Sequence, residues 1–566
     1  MTEWQIVYGG QTSTPAEFDT ASSKFYVYQR RNIQRVTENN ISFWQYEERK
    51  LSFDEYENLR ITLLENDLTA KLDSDATAVA AFNDGVGNDI SHTYATKAEL
   101  EDLQLSGGGF SPILVVTSYN AETLSVSNGT TTLTAAFVNK TAFINLPSFG
   151  NWTVTVSKDE RTKSVSVNVD TVKIYELSIV APVRYGYRIS KTESDPDARV
   201  EYLYDAVGMR PAHMDFDSDS ATFGTFNYGD WQDVWFVKDN KPCMLKYDGT
   251  VGYYLNPNNY ALKEDGTASD VANTSYGGNA MAQIPLVWVK RYEDDDYLYE
   301  IVSDVQWDEN YKAYAHTDKD GNIKPYFYVS MFASVYSNNK LRSISGQSTS
   351  NYNATSTQLL NYAAANGSNW SATSWSQYQF IRTLTVLISK TCDSQSAFGF
   401  GTGYSGDTNL NSKIYSGTLI SKGQFYGLKT TGQLKIFHIE QPWGSQYYIL
   451  AGFFAYNGNA YVKMTPPYNS DSVDGYSIAY TYPQSFDGFG SQASVSEFGL
   501  LPVASDGSAS TYFCDRMYFN VSNTICSCWA SGAEADNNLG IFTFNGGGTK
   551  INDSRTVNYG VKLSCV

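Results

Sequence analysis

The sequence predicts a β-rich multidomain chain in three parts: a short mixed α/β N-terminal segment, an all-β sandwich and a large α+β C-terminal region. Seven short β-branched runs with period-two alternation follow one another between residues 111 and 181, the pattern of half-buried antiparallel strands separated by turns. Within 186–566 stand two stretches of helical periodicity, each with a complete capping signal, among many hairpin signals. Aromatic residues make up 15% of the chain, with 43 Tyr, against 18% charged residues. That usage suits sheet surfaces and recognition faces and argues against a disordered chain.

The first part, residues 1–106, opens with two short β-like runs, WQIVYGG and KFYVYQ. A helix is then expected: Ser52 and Glu55 form a capping box, Leu51 and Tyr56 can make the hydrophobic staple, and Tyr56, Leu59 and Leu63 recur at helical spacing. Thr96 and Glu99 signal a second short helix carrying Leu100 and Leu103, and Gly107–Gly109 closes the segment as a hinge. Helices this short bury too little by themselves. Self-association or docking on a larger assembly would complete them, and a plain helical extension is the alternative.

The second part spans 111–181, with the runs ILVVT, TLSVS, TTLTAAF, TAFINL, WTVTVSKD, TKSVSVNV and IYELSIV. Seven strands at this spacing predict an immunoglobulin-like sandwich, a module that serves as a spacer. The third part, 186–566, carries the helix TQLLNYAAANG, capped by Thr355 and Gln358 with Gly367 at its end. In SWSQYQFIRTLTVLISKT, capped by Ser374 and Gln377, the residues Phe380, Ile381, Leu384, Leu387 and Ile388 form a core-facing stripe. Asp320-Gly321 and Asn457-Gly458 mark hairpin turns.

A net charge of −19 repels nucleic acid and anionic membrane alike, so neither is an expected partner. No run reaches the apolar length of a membrane span, and the start MTEWQIVYGG lacks the basic and apolar regions of a signal peptide. The six cysteines, at 243, 392, 514, 526, 528 and 565, are expected to be buried free thiols. The four histidines lie far apart, and no metal or cofactor is expected. His438 and Trp443 read as core residues. Asp318, Asp320 and Asn322 echo a calcium loop, but Val329 stands where its closing Glu would be, so a hairpin turn is expected. Asp294–Asp296 reads as a solvated turn, and Asp215, Asp217 and Asp219 as a loop or edge strand.

The richest stretch is the last one. Ile541, Phe542, Phe544, Val557, Val561 and Leu563 can build strands, with clustered polar and aromatic residues at or between them. The candidate binding face comprises Trp529, Ser531, Glu534, Asp536, Asn537, Asn538, Phe544, Asn545, Asn552 and Asp553. A rigid sheet presenting aromatics and adaptable amides binds without transforming what it binds. Solvated hairpin loops are the alternative.

The succession of the long helix, TCDSQSAFGFG, KIFHIEQPWGSQYYILAGF, EFGLLPVASDGSASTYFCDRMYFN and the strand-loop tail resembles the C-type-lectin-like fold in its formylglycine-generating-enzyme variant. Glu440, Pro442, Trp443, Gly444, Ser445 and Tyr448 fall on that family's core-crossing segment. SCWASGAEADNNLGIFTFN corresponds to its closing segment, with Trp529 retained and the Arg-Gly-Gly lost. Cys526-x-Cys528 does not match the enzymes' copper-binding spacing, so no oxidase activity is expected. Glu440-Gln441-Pro442 is not the motif of calcium lectins, so no calcium-dependent sugar site is expected either.

The same succession resembles phage tail-tip receptor-binding proteins, including tropism determinants diversified by retroelements. MTEWQIVYGGQTSTPAEF with FWQYEERKLSFDEYENLR is similar to the virion-attachment start of tail proteins from phages of Gram-positive hosts, and the sandwich is similar to their spacers. The resemblance implies a non-enzymatic virion tail protein. Its partners would be a host cell-surface glycan or protein, other tail proteins through the N-terminal segment, and further copies of itself, as a trimer. A wall- or capsule-degrading tail hydrolase and a virion decoration protein are the alternatives.

Overall fold

The computed structural model describes residues 5–10, 16–19, 26–38, 41–52, 111–216, 225–347, 354–401, 415–428, 433–444, 447–522, 524–530, 539–552 and 559–566. They fall into two compact units, Met1–Ile113 with Thr171–Ile174, and Leu114–Asp170 with Tyr175–Val566. Strand dominates helix throughout, as the composition predicts.

In the first unit, β1 (Gln5–Gly10), β2 (Ala16–Asp19), β3 (Tyr26–Glu38) and β4 (Ile41–Ser52) form an antiparallel sheet in the order β1-β4-β3-β2. The long β3–β4 hairpin is more strand than the sequence led us to expect, because its charges hide the alternation. In register, Arg30 stands opposite Glu48 and Arg31 opposite Glu47. Leu51 and Ser52 end β4. The rest of both expected helices, and the glycine hinge, lie outside the described residues.

The second unit opens with the seven expected strands: β5 (Ile113–Thr117), β6 (Thr123–Ser127), β7 (Thr132–Ala135), β8 (Thr141–Asn145), β9 (Gly150–Lys158), β10 (Arg161–Val169) and β11 (Ile174–Ser178). They pair in two sheets, β10-β9-β6-β7 and β11-β5-β8. Leu114, Val116, Leu124, Val126, Trp152 and Val154 alternate inward to one core, and the Trp152 indole donates to the Ser148 carbonyl at 3.0 Å. Two ion pairs join this module to the chain that follows: Lys158 to Asp205 at 2.5 Å and Lys163 to Asp304 at 2.7 Å. Each carboxylate also accepts a backbone N–H, of Arg184 and Val183 respectively, so the junction is held by more than side-chain charge.

The remainder is built on three larger sheets. A four-stranded sheet pairs Arg184–Ser190 with Val200–Tyr204 and with Tyr297–Ser303, which in turn pairs with Trp288–Glu293. A seven-stranded sheet places Leu563–Cys565 between Tyr326–Ser330 and Trp370–Ala372. An eight-stranded sheet holds the strands Tyr447–Tyr456, Cys526–Ala530, Phe544–Lys550, Arg516–Phe519 and Phe486–Phe489 side by side.

The helices α1 (Trp235–Lys238), α2 (Ser356–Ala364), α3 (Trp375–Ser389) and α4 (Ser394–Phe398) pack among the sheets. Of the expected capping boxes, the two in this region are present, Thr355 with Gln358 and Ser374 with Gln377, whereas Ser52 is the last residue of a strand and Glu55 lies outside the described residues. Gly367 is no left-handed cap; a Cβ there would stand 2.6 Å from the Tyr247 carbonyl, so close approach requires the glycine. The single apolar stripe expected of α3 understates it, because every residue except Tyr378 is buried. Three of its hydroxyls are satisfied along the helix: Thr383, Thr385 and Ser389 donate to carbonyls one turn back. The Arg382 guanidinium meets Glu300 at 2.6 Å and Gln379 at 3.0 Å.

The minor motifs resolve as turns and core. Asp318 accepts the N–H groups of Asp320 and Asn322 and pairs with Lys324 at 2.9 Å, closing a turn bridged by Thr317 and Ile323. Asn457 and Gly458, both at positive φ, join Tyr447–Tyr456 to Asn459–Val462. Asp294 accepts the N–H groups of Asp296 and Tyr297 in an exposed turn. Asp215 ends a short strand, while Asp217 and Asp219 lie outside the described residues. Cys243, Cys392, Cys514, Cys526 and Cys565 are buried free thiols.

His438 is buried with Nδ1 at 2.7 Å from the Tyr260 hydroxyl, and the buried Trp443 indole donates to the Gly399 carbonyl at 3.0 Å. His316 is buried against Phe327 and Phe380 with no hydrogen bond to either ring nitrogen. Burial lowers its pKa from 6.5 to about 3, so the unfolded chain binds the extra proton between those values and stability falls as pH drops through that window. A His316→Leu chain should therefore lose about 2 kcal/mol less than the parent between pH 7 and pH 5, measured by urea unfolding. His438, also lowered by burial, stays in both chains and cancels.

Candidate functional site

The candidate face maps onto the eight-stranded sheet. Trp529 lies in the strand Cys526–Ala530, and Phe544 and Asn545 begin the strand Phe544–Lys550. Asn552 is exposed in the turn beyond it. Ser531, Glu534, Asp536, Asn537, Asn538 and Asp553 lie outside the described residues.

Phe544 borders the recess described below but lies largely buried beneath the face. It is 4% exposed and packs against Trp375 and Phe453 in the main core. The reason is strand phase: adjacent residues point to opposite faces, so Phe544 turns inward where Asn545 turns outward. The tail also differs from the expected strand-loop pattern. Ile541 and Phe542 sit in a turn, and the glycine-rich run that follows is the strand.

Register brings together what the sequence leaves apart. Trp529 stands opposite Asn545, Asn545 opposite Tyr518, and Tyr518 opposite Asp487. Neighbours in one cross-strand row share a face. Arg516, two residues before Tyr518 and so on its face, pairs with Asp487 at 3.1 Å. Asn545, Tyr518, Asp487 and Arg516, with Tyr447, Leu539 and Phe544, border a recess of about 160 Å³. Leu539 is the first described residue after 531–538.

Arg516, Tyr518, Asp487 and Tyr447 were missed from the sequence. A signal for two of them was there: in RMYF the polar or amphipathic residues alternate with Met517 and Phe519, both buried, which places Arg516 and Tyr518 on the outer face. Nothing local marks Asp487 or Tyr447, because their place depends on strand pairing.

The platform beneath the recess is stiff. Asp515 is buried, and its two oxygens accept the N–H of Gly540 at 2.6 Å and of Phe542 at 2.7 Å. Burial pushes its carboxyl well above the ordinary range, against the pull of those two N–H groups. The Ile541 N–H donates to Ser394 Oγ at 3.0 Å, and the Tyr378 hydroxyl donates to the Ile541 carbonyl. A Cβ on Gly540 would stand 2.3 Å from Ser394 Oγ, so only glycine fits there. The recess thus offers a phenol plane, an amide and a guanidinium–carboxylate pair on a fixed sheet. Such a set stacks on a flat ligand and hydrogen-bonds its polar edge.

No protein-family model matches the chain, and no curated protein matches it.

Proposed function

We propose that the chain is a structural protein of a phage tail that binds a host cell-surface glycan or protein through its C-terminal region. In this reading the N-terminal segment attaches to the virion and the seven-stranded module is an immunoglobulin-like spacer. The C-terminal region is a C-type-lectin-like receptor-binding domain. The observation that carries the reading is the outward row Asn545, Tyr518 and Asp487, in register with Trp529 and bordering a recess. The ion-paired junction between spacer and C-terminal region suits a module that holds a binding tip at a set angle. Several tips on one particle, as in a trimer, raise residence time through effective concentration.

Labelled full-length protein, incubated with a panel of Gram-positive cells, tests this by flow cytometry. The double variant Tyr518→Ala with Asn545→Ala is expected to reduce retained protein about tenfold or more, the loss typical of central aromatic and polar anchors. Undiminished retention would remove the row from the binding face. Release of soluble wall fragments would turn the reading toward a hydrolase, and absence from every cell with normal incorporation into particles toward a decoration protein.

A further inference from the structure

One buried carboxyl group joins the two chain segments that form the recess. Leu539 and Thr543, at the ends of the turn 539–543, both line it, and so does Arg516, the residue after Asp515. The turn is closed by the Thr543 N–H donating to the Gly540 carbonyl at 3.2 Å. Between those ends the Asp515 oxygens accept from Gly540 and Phe542 at 2.6 and 2.7 Å. Asp515 is thus peptide-bonded to one wall of the recess and hydrogen-bonded to the other. A Cβ on Gly540 would meet both Asp515 oxygens within 3 Å, so the carboxyl group lies directly against the turn.

No positive charge offsets it. Among the described residues no Lys, Arg or His pairs with the Asp515 carboxylate. The titratable groups that feel it are Asp393, at the N-cap of α4, and the buried thiols of Cys392 and Cys514. The Arg199 guanidinium faces those thiols instead. A carboxylate this deep, with a negative neighbour, takes up a proton far more readily than an exposed one. Burial pushes its pKa well up, the two N–H groups pull against that, and Asp393 adds to the rise. Protonation puts a hydrogen on one oxygen and removes the charge from both. A hydrogen bond to an ionised acceptor is roughly twice as strong as one to a neutral acceptor, so both ties to the turn weaken together.

We propose that Asp515 is a proton switch for the recess: in mild acid the turn 539–543 loosens and the recess releases its ligand. The release rests on the recess being the receptor site, whereas the loosening is a property of the fold and is measured without any ligand.

Amide hydrogen exchange of the full chain, corrected for intrinsic rates, reads the switch at Gly540 and Phe542. Their protection is expected to fall about tenfold or more between pH 7.5 and pH 5, the worth of a hydrogen bond to a charged group. The Leu563 N–H, held by Ser330 Oγ, should keep its protection and so exclude general unfolding. Asp515→Asn, neutral at every pH, should show the low protection throughout. Asp393→Asn keeps a good N-cap for α4 and removes the like charge, so its fall should come at lower pH than in the parent. Retention of labelled parent on cells should drop with the same midpoint as the exchange. Should no cell retain the parent even at pH 7.5, the receptor reading fails, and the exchange result still decides the switch. Constant protection across the range, a parent-like pH dependence in Asp515→Asn, an unmoved midpoint in Asp393→Asn, or undiminished retention once protection is lost would overturn the proposal.

Discussion

Deleting residues 563–566 is expected to abolish cooperative folding of the C-terminal region. The strand Leu563–Cys565 is internal to the seven-stranded sheet, paired with Tyr326–Ser330 on one side and Trp370–Ala372 on the other. Leu563 is fully buried and its N–H donates to Ser330 Oγ at 3.0 Å. Without the strand, two ladders lose their hydrogen bonds and the core around Leu341, Leu359 and Trp370 opens to water. Leu563→Ala alone should cost about 2–5 kcal/mol, the range for a large-to-small change in a packed core. The deletion should exceed that, a large share of the roughly 5–15 kcal/mol by which a domain is stable. Urea unfolding followed by near-ultraviolet circular dichroism checks both: the substituted chain should keep a sigmoidal transition at lower urea, and the truncated chain should show none. A parent-like transition in the truncated chain would mean that the strand is dispensable.

Glu300→Ala should be the most damaging single substitution. Glu300 is 1% exposed and meets both Arg291 and Arg382 at 2.6 Å, with the Tyr187 hydroxyl donating to it as well. Burial alone would raise its carboxyl, but the two guanidinium charges and the hydrogen bonds from Arg382 and Tyr187 outweigh it and hold the pKa at about 2 instead of 4.5. Removing the carboxylate strands two buried cations, a loss of about 3–5 kcal/mol. Replacing Glu300, Arg291 and Arg382 together by Leu, Met and Met should restore most of that, because apolar packing avoids the desolvation of all three ions.

The same network sets an acid limit. The folded pKa is depressed, so its contribution is complete above the unfolded value of 4.5 and drains away as pH falls toward 2. Melting curves between pH 5 and pH 2.5 should fall steeply for the parent and less steeply for the triple variant. Parallel curves would assign the acid limit to other groups.

Local features were legible in the sequence, and pairings across long separations were not. The capping boxes of α2 and α3, the seven strands between residues 111 and 181 and the Asn457-Gly458 turn are each written in a few consecutive residues, and each is found in place. Gly367 and Phe544 were misjudged because their roles depend on what faces them: the Tyr247 carbonyl for one, Trp375 and Phe453 for the other. The burial of α3 on every side comes from sheets hundreds of residues apart closing over it. The site row was half visible. Asn545 and Trp529 were marked by type, whereas Tyr518 and Asp487 join them only through register.

The strand Leu563–Cys565 also sets a schedule for synthesis. Leu563 and Ser330, joined by a hydrogen bond, are separated by 233 positions, so a ribosome extrudes Tyr326–Ser330 long before its neighbour exists. Through that interval the strand presents an unpaired edge, which invites pairing with other nascent chains. Overexpression at high temperature should therefore yield inclusion bodies from incomplete translation products, and slower elongation alone would lengthen the exposure.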